Sequence, residues 1–296
     1  MARDVFAFSP RLRLVAYRIF YAIAEHLPLW LSRTLAYFIA ACSWLVDARG
    51  RKIVQRNVSH FIPARCPEAR RRAARRSFIT FALNVCEGFA MGGMDKSLFL
   101  SPHIELVDPW RVFSERPRLQ PTIFTTVHSN WELAIAVYYH LKLINGCSAV
   151  ALSHNDPAID GLFDLMRSRF NCHSLLLDRA PLASLRALKD GQHLCLVGER
   201  DYTGNGLRVA FGGQPIRMPV GPAALAVQTG LPVVPWFLAR RSPTKFVVII
   251  GKPLHADPTR PKSAQVAELT QRLADVYARF LGAAPGQWIA FHDAWK

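Results

Sequence analysis

The spacing of apolar positions changes near residue 120 of this 296-residue chain, and the change divides it. In the first hundred residues apolar positions recur at three and four. Leu12, Val15, Ile19, Ile23 and Leu27 make one stripe, with Arg18 and Glu25 off it, as an amphipathic helix requires. Thr34–Val46 (TLAYFIAACSWLV) is a denser apolar run bracketed by Arg33 and Asp47. It is shorter than the roughly 20 apolar residues that span a bilayer. With Leu12–Leu31 it predicts a helical hairpin. That hairpin either lies in or dips into a membrane interface or forms a buried core pair; a single tilted span is a third reading. From residue 122 short apolar runs alternate with helical patterns. The predicted strands are Thr122–Val127, Ala149–Ser153, Ser174–Leu177, Leu194–Val197, Val233–Leu238 and Phe246–Ile250; the predicted helices are Trp131–Leu141, Pro157–Phe170, Ala183–Lys189, Pro222–Thr229 and Ser263–Leu281. Short continuous apolar runs suit strands covered on both faces. Their alternation with helices predicts a mostly parallel α/β sheet. The expected organisation is a helical, membrane-associated preface over 1–100 and an α/β part over 101–296, together forming one compact unit.

Composition narrows the partners. Half the chain (51%) is hydrophobic and the net charge is +16. Such a charge suits nucleic acid, an anionic membrane surface or an acidic carrier protein. The apolar content argues against nucleic acid, and no recognition motif for it is present. Arg49–Arg56 and Arg70–Arg76, the latter with five arginines in seven residues, flank the apolar helices. They are solvated faces or contacts for acidic headgroups. The cysteines at 42, 66, 86, 147, 172 and 195 form no CxxC pair, so neither a zinc site nor a disulfide scaffold is expected; they read as buried thiols in a reducing compartment. MARDVFAFSPRLRL lacks the apolar core of a cleavable signal peptide.

Candidate chemistry sits where predicted strands end. Thr125–Glu132 (TTVHSNWE) follows the first strand and opens a helix. Asn130 or Ser129 is placed to cap that helix. His128 is a natural general base, and Glu132, four residues on, would share a helix face with it if the helix starts early. Gly198–Asp201 (GERD) follows Leu194–Val197 and brings Glu199, Arg200 and Asp201 near His128 if the two strands are neighbours. Gly212-Gly213 is either a close approach to a ligand or a tight turn. No phosphate-binding loop, dinucleotide fingerprint, nucleophile elbow or metal-ligand pattern appears.

These residues carry a resemblance. HSNWE, then GERDYTGNGLRVAFGGQPIRMPVGPAALAVQTGLPVVP, then PGQWIAFHDAWK resemble the lipid A biosynthesis acyltransferase family, which includes the late lipid A acyltransferases and the acyltransferases of phosphatidylinositol mannosides. RKIVQRNVSHFIP and FALNVCE resemble that family's helical preface, so the likeness runs over nearly the whole chain. It implies a mixed, largely parallel sheet flanked by helices, glycerolipid acyltransferase-like, behind a membrane-associated amino-terminal part. It implies transfer of a fatty acyl chain from an acyl carrier protein or coenzyme A thioester to a hydroxyl of a lipid or glycolipid such as a lipid A precursor. The thioester is a co-substrate; no metal or other cofactor is implied. The expected place is the cytoplasmic face of the inner membrane, peripheral or monotopic. Carried over, His128 is the general base, Glu132 its partner and Glu199 an acidic site residue. Asn130, Arg167 and Arg169 (in LMRSRFN), Arg200 and Asp201 are substrate-binding candidates. One departure stands out. The family reads H-x-G-N-W-E, with four residues between histidine and acid, whereas three separate His128 from Glu132. Aligned on Asn-Trp-Glu, the histidine position falls on Val127. The alternative is therefore a catalytically inactive lipid-binding homologue of the same fold.

Overall fold

The computed structural model describes residues 10–94, 98, 103–113, 120–142 and 146–295. Met1–Ser9, where the signal-peptide reading begins, and Lys296 of the terminal motif lie outside the described residues. The preface folds as helices α1 (Pro10–His26), α2 (Leu29–Val46), α3 (Ala48–Ser59) and α4 (Pro67–Ala90). Pro28 precedes α2, the Asp47 carboxylate accepts from the Gly50 N–H at 2.7 Å to cap α3, and Pro67 occupies the first turn of α4.

Small residues decide which way α2 faces. Ala36 and Ala40 of α2 pack on Ala82, Leu83 and Cys86 of α4. The large side chains turn outward: Trp30 is 67% exposed, Phe38 66% and Val46 81%. Leu12, Val15, Ile19 and Ile23 of α1 are exposed as well. The two helices pack chiefly on α4, each by itself, as surface elements with an apolar outer face, and the buried-pair reading is set aside. Helix α2 is also long and apolar enough to cross a membrane by length and composition.

Among the described residues, strands β1 (Ile104–Val107), β2 (Ile123–Thr126), β3 (Cys147–Ala151), β4 (Cys172–Leu176), β5 (His193–Val197), β8 (Val233–Arg240) and β9 (Phe246–Ile250) form one sheet, ordered β1-β9-β8-β2-β5-β3-β4. All pairs run parallel except β8–β9. Helices α5 (Trp131–His140), α6 (Pro157–Ser168), α7 (Ala180–Lys189), α8 (Gly221–Thr229) and α9 (Lys262–Ala283) complete the mixed α/β layout. One core, holding Phe124, Tyr138 and Trp236, lies toward α1, α4, α5 and α6. The other, holding Phe237, Tyr277 and Trp288, lies toward α8 and α9.

Three strands escaped the sequence pattern. Edge strand β1 buries only Ile104 and leaves the rest of its face outward. Strands β6 (Leu207–Phe211) and β7 (Gln214–Met218) form a separate antiparallel hairpin. Its inward residues Val209, Phe211, Ile216 and Met218 alternate with outward Arg208 and Arg217. Gly212 and Gly213 take φ of +57° and +80°, so the turn reading holds, with glycine where L side chains are strained. The cysteines are all unpaired, but only Cys86, Cys147 and Cys172 are buried; Cys42 is exposed and Cys66 and Cys195 are half-buried.

A buried ionic cluster ties preface to sheet. Glu87 of α4 is fully buried and accepts from Arg33 Nε of α2 at 2.7 Å and from the Arg240 guanidinium of β8. The carboxyl-terminal segment ties the same parts again: Asn57 Nδ2 of α3 donates to the carbonyls of Ala290 and His292 at 2.9 and 2.7 Å.

Candidate active site

Parallel neighbours β2 and β5 end side by side, with Thr126 opposite Val197. The chain leaves each strand into the same space, His128 from one and Glu199 from the other. Gly198 makes that exit possible. A Cβ there would fall 2.5 Å from the Tyr277 hydroxyl and 2.7 Å from Thr125 Oγ1, atoms that hydrogen-bond each other beneath it.

Glu199 is completely inside the protein. Its Oε1 accepts from His128 Nδ1 at 2.8 Å, from the His128 backbone N–H at 3.0 Å and from the Trp288 indole at 3.1 Å. Burial pushes this carboxyl up, but the neighbouring His128 charge and these three hydrogen bonds outweigh it and hold it at about 2. A carboxyl lowered from its ordinary 4.5 supports the fold at pH values above that, and this support is lost as pH falls toward 2. An ionised carboxylate only accepts, so in the neutral imidazole the ring proton is on Nδ1 and Nε2 carries the lone pair. Nε2 meets the Tyr202 hydroxyl at 3.2 Å. The indole of Trp131 stands edge-on to the imidazole, 5.2 Å between centroids. A histidine so oriented can take a proton from a hydroxyl.

Glu132 does something else. It lies in the first turn of α5 and ion-pairs with Arg167 of α6, whose Nε donates to Glu132 Oε2 at 3.1 Å. Trp131 Nε1 also donates to Glu132, at 3.1 Å. The expected His128–Glu132 pairing is therefore replaced by His128–Glu199. The reason is local: α5 starts at Trp131, so His128 precedes the helix and the i,i+4 rule does not reach it.

Asn130 stands at the head of α5 without capping it. Its amide donates to the Leu238 carbonyl at 3.0 Å and to Gln287 Oε1 at 3.3 Å, and its own Oδ1 has no protein partner. Arg169 is not with the others; it pairs with Glu25 of α1. Arg200 lies with its guanidinium 4.3 Å from the centre of the Tyr202 ring. Asp201 braces its own loop, accepting from the Thr203, Gly204 and Gly206 N–H groups and the Thr203 hydroxyl.

A cavity of ≈ 1720 Å³ opens on the pair. Its inner wall is apolar, from Phe89, Ile135, Tyr138, Phe163, Trp236 and Leu238. Toward the preface it is bounded by Ile39 and Val46 of α2 and by Arg49, Lys52 and Arg56 of α3. His128, Asn130, Glu132, Arg167, Arg200 and Asp201 all line it. Such a space suits a long apolar chain with a charged end at the cationic rim.

Sequence reasoning missed Tyr202 and Trp288. Both sat in quoted stretches, GERDYTGN and PGQWIAFHDAWK, without a role. The second stretch clasps the site: Trp288 holds Glu199, the Ile289 N–H donates to the His128 carbonyl at 2.8 Å, and Gln287 accepts from Asn130 and from the Arg240 N–H.

The family model for bacterial lipid A biosynthesis acyltransferases matches residues 7–296. A phosphatidylinositol mannoside acyltransferase of Mycobacterium tuberculosis is 37% identical over 123 residues, 40% of this chain and only 36% of that protein's length. One from Mycolicibacterium smegmatis is 26% identical over 270 residues, 87% of this chain and 84% of that protein. The crystal structure of the 1-acyl-sn-glycerophosphate acyltransferase PlsC from Thermotoga maritima overlays with a TM-score of 0.41 at 17% identity, covering 85% of this chain and 96% of that one.

Proposed function

This chain belongs to the bacterial lipid A biosynthesis acyltransferase family, and from that premise we propose that it moves a fatty acyl chain from an acyl carrier protein or coenzyme A thioester to a hydroxyl of a membrane lipid or glycolipid. The observation that carries the reading is His128 Nδ1 held by buried Glu199 at 2.8 Å, at a cavity large enough for the chain. His128 Nε2 takes the proton of the acceptor hydroxyl as its oxygen attacks the thioester carbonyl. Glu199 stabilises the imidazolium that forms. The C–S bond breaks and the imidazolium returns its proton to the leaving sulfur. Backbone N–H groups at the start of α5 or a cavity-lining arginine would supply the donors for the oxyanion. Glu132 and Arg167 brace each other in the cavity wall, with Arg167 presenting charge to the substrate; Arg200 and Asp201 shape the entrance, while buried Asn130 ties the head of α5 to Leu238 and Gln287. The inactive-homologue reading rested on the His128–Glu132 spacing. With Glu199 on the imidazole, that spacing loses its force.

The test is transfer of a labelled acyl chain from each thioester to a total membrane lipid extract. A new acylated lipid is the expected result, and its structure names the acceptor. No product with either donor would overturn the reading.

The apolar outer face of α1 and α2, next to the cations of α3, supports a monotopic seat on an anionic membrane, on the cytoplasmic side where both donors are made. Trp30→Asp with Phe38→Asp removes two large exposed apolar groups. Burial of such a side chain is worth about 1.5–3 kcal/mol, so the double variant is expected to bind anionic vesicles well over tenfold more weakly in flotation. Equal flotation would show that this face is not the seat.

A further inference from the structure

We propose that Tyr202 guards the general base: its hydroxyl occupies the acceptor's place on His128 Nε2 and keeps water off the thioester until a lipid displaces it. This rests on the reading of His128 as the base. The nitrogen that must receive the acceptor's proton is the one Tyr202 already touches, at 3.2 Å. Since Nδ1 carries the ring proton, the phenol donates, satisfying the lone pair that would otherwise activate the nearest water.

The guard is built to hold and to yield. The loop carrying it is braced from below by Asp201, which takes hydrogen bonds from the backbone of Thr203, Gly204 and Gly206. The Arg200 guanidinium covers the tyrosine ring. Opposite, Trp131 stands edge-on to the imidazole. Yet Tyr202 is 38% exposed and belongs to the cavity lining, so an incoming hydroxyl can turn it out with little loss of packing. Burial also raises the phenol's pKa, despite the lowering effect of Arg200. It therefore stays protonated and remains a donor.

An unguarded base would spend donor. Water would lose a proton to Nε2, its oxygen would bond to the carbonyl carbon, the C–S bond would break, and the sulfur would recover the proton, leaving free fatty acid and thiol. An enzyme that holds a loaded donor while awaiting a scarce lipid gains from suppressing that reaction.

The experiment uses the full chain in detergent, as wild type, Tyr202→Phe and Tyr202→Ala, with melting temperatures compared to confirm folding. Thiol release from acyl-coenzyme A without acceptor measures hydrolysis, and labelled lipid with acceptor measures transfer. The ratio of hydrolysis to transfer is expected to rise about 3- to 10-fold in Tyr202→Phe, the size of one net hydrogen bond, and further in Tyr202→Ala. The KM for the lipid should fall, because the lipid no longer competes with the phenol. An independent arm follows carbethoxylation of His128 by diethyl pyrocarbonate, mapped by mass spectrometry, which should quicken in the same order. An unchanged ratio, or hydrolysis falling together with transfer, overturns the guard. Failure of the acyltransfer reading looks different: the wild type releases no thiol and makes no lipid. The guard then stands or falls on whether carbethoxylation of His128 quickens.

Discussion

His128→Ala is expected to lower acyl transfer by about 10²–10⁴-fold, the usual contribution of a positioned general base, while the melting temperature barely moves. Its ring is the only group that Glu199 Oε1 holds in a single tautomer with Nε2 directed at Tyr202. Glu199→Gln is the finer test. Three donors converge on Oε1: the imidazole N–H, the His128 backbone N–H and the Trp288 indole. They will keep an amide oxygen in the same position, so tautomer and orientation survive and only the charge opposite the imidazolium is lost. A fall of about 10- to 100-fold is expected, smaller than for His128→Ala, since each pKa unit of imidazolium stabilisation is worth a factor of ten. Turnover of purified His128→Ala at the wild-type rate would remove the base assignment altogether. Equal losses in Glu132→Gln and Glu199→Gln would show that Glu132 does more than hold Arg167.

The largest effect on stability is expected from Glu87→Ala. Among the described residues, Glu87 is the one carboxylate paired with both Arg33 and Arg240, whose side chains are 11% and 8% exposed. Replacing a buried ion pair with apolar groups is often neutral, but deleting one partner leaves charge stranded and costs about 3–5 kcal/mol. Here two charges are stranded, one on α2 and one on the sheet. At 2–4 °C per kcal/mol for a chain of this size, the midpoint should fall by roughly 10 °C, read by circular dichroism in detergent. Glu87→Gln keeps one acceptor oxygen for Arg33 and Arg240 and loses the other, so it should cost less than Glu87→Ala. A Glu87→Ala midpoint within two degrees of wild type would mean that water reaches Arg33 and Arg240 and screens them.

How far these residues could be read in advance depended on whether the signal was local. Strands with apolar runs, such as Ile123–Thr126 and Val233–Arg240, announced themselves. Strand β1 did not, because one of its faces is exposed. The hairpin β6–β7 did not either, because its arginines break the run. At the site, the sheet order turned on an explicit condition, that β2 and β5 be neighbours, and they are. That adjacency brings Glu199 to His128. The partner chosen by spacing, Glu132, was wrong by three residues of helix start: α5 begins after His128, so its first turn points Glu132 to Arg167. Asn130 had the right residue type for a cap and found better partners in Leu238 and Gln287. Arg169 sat in the right segment, but just past the end of α6, where it meets Glu25. Trp288 stands 89 residues from Glu199, and no local pattern reports a contact at that range.

The clasp formed by that tryptophan also sets a schedule. Glu199 and His128 are fastened by Trp288 and Ile289, and α3 by Ala290 and His292, all among the last of the described residues to leave the ribosome. Helices α1 and α2, with their apolar outer face, precede both in the chain. His128 and Glu199 therefore lack their carboxyl-terminal fastening until translation has passed Trp288 and Ile289.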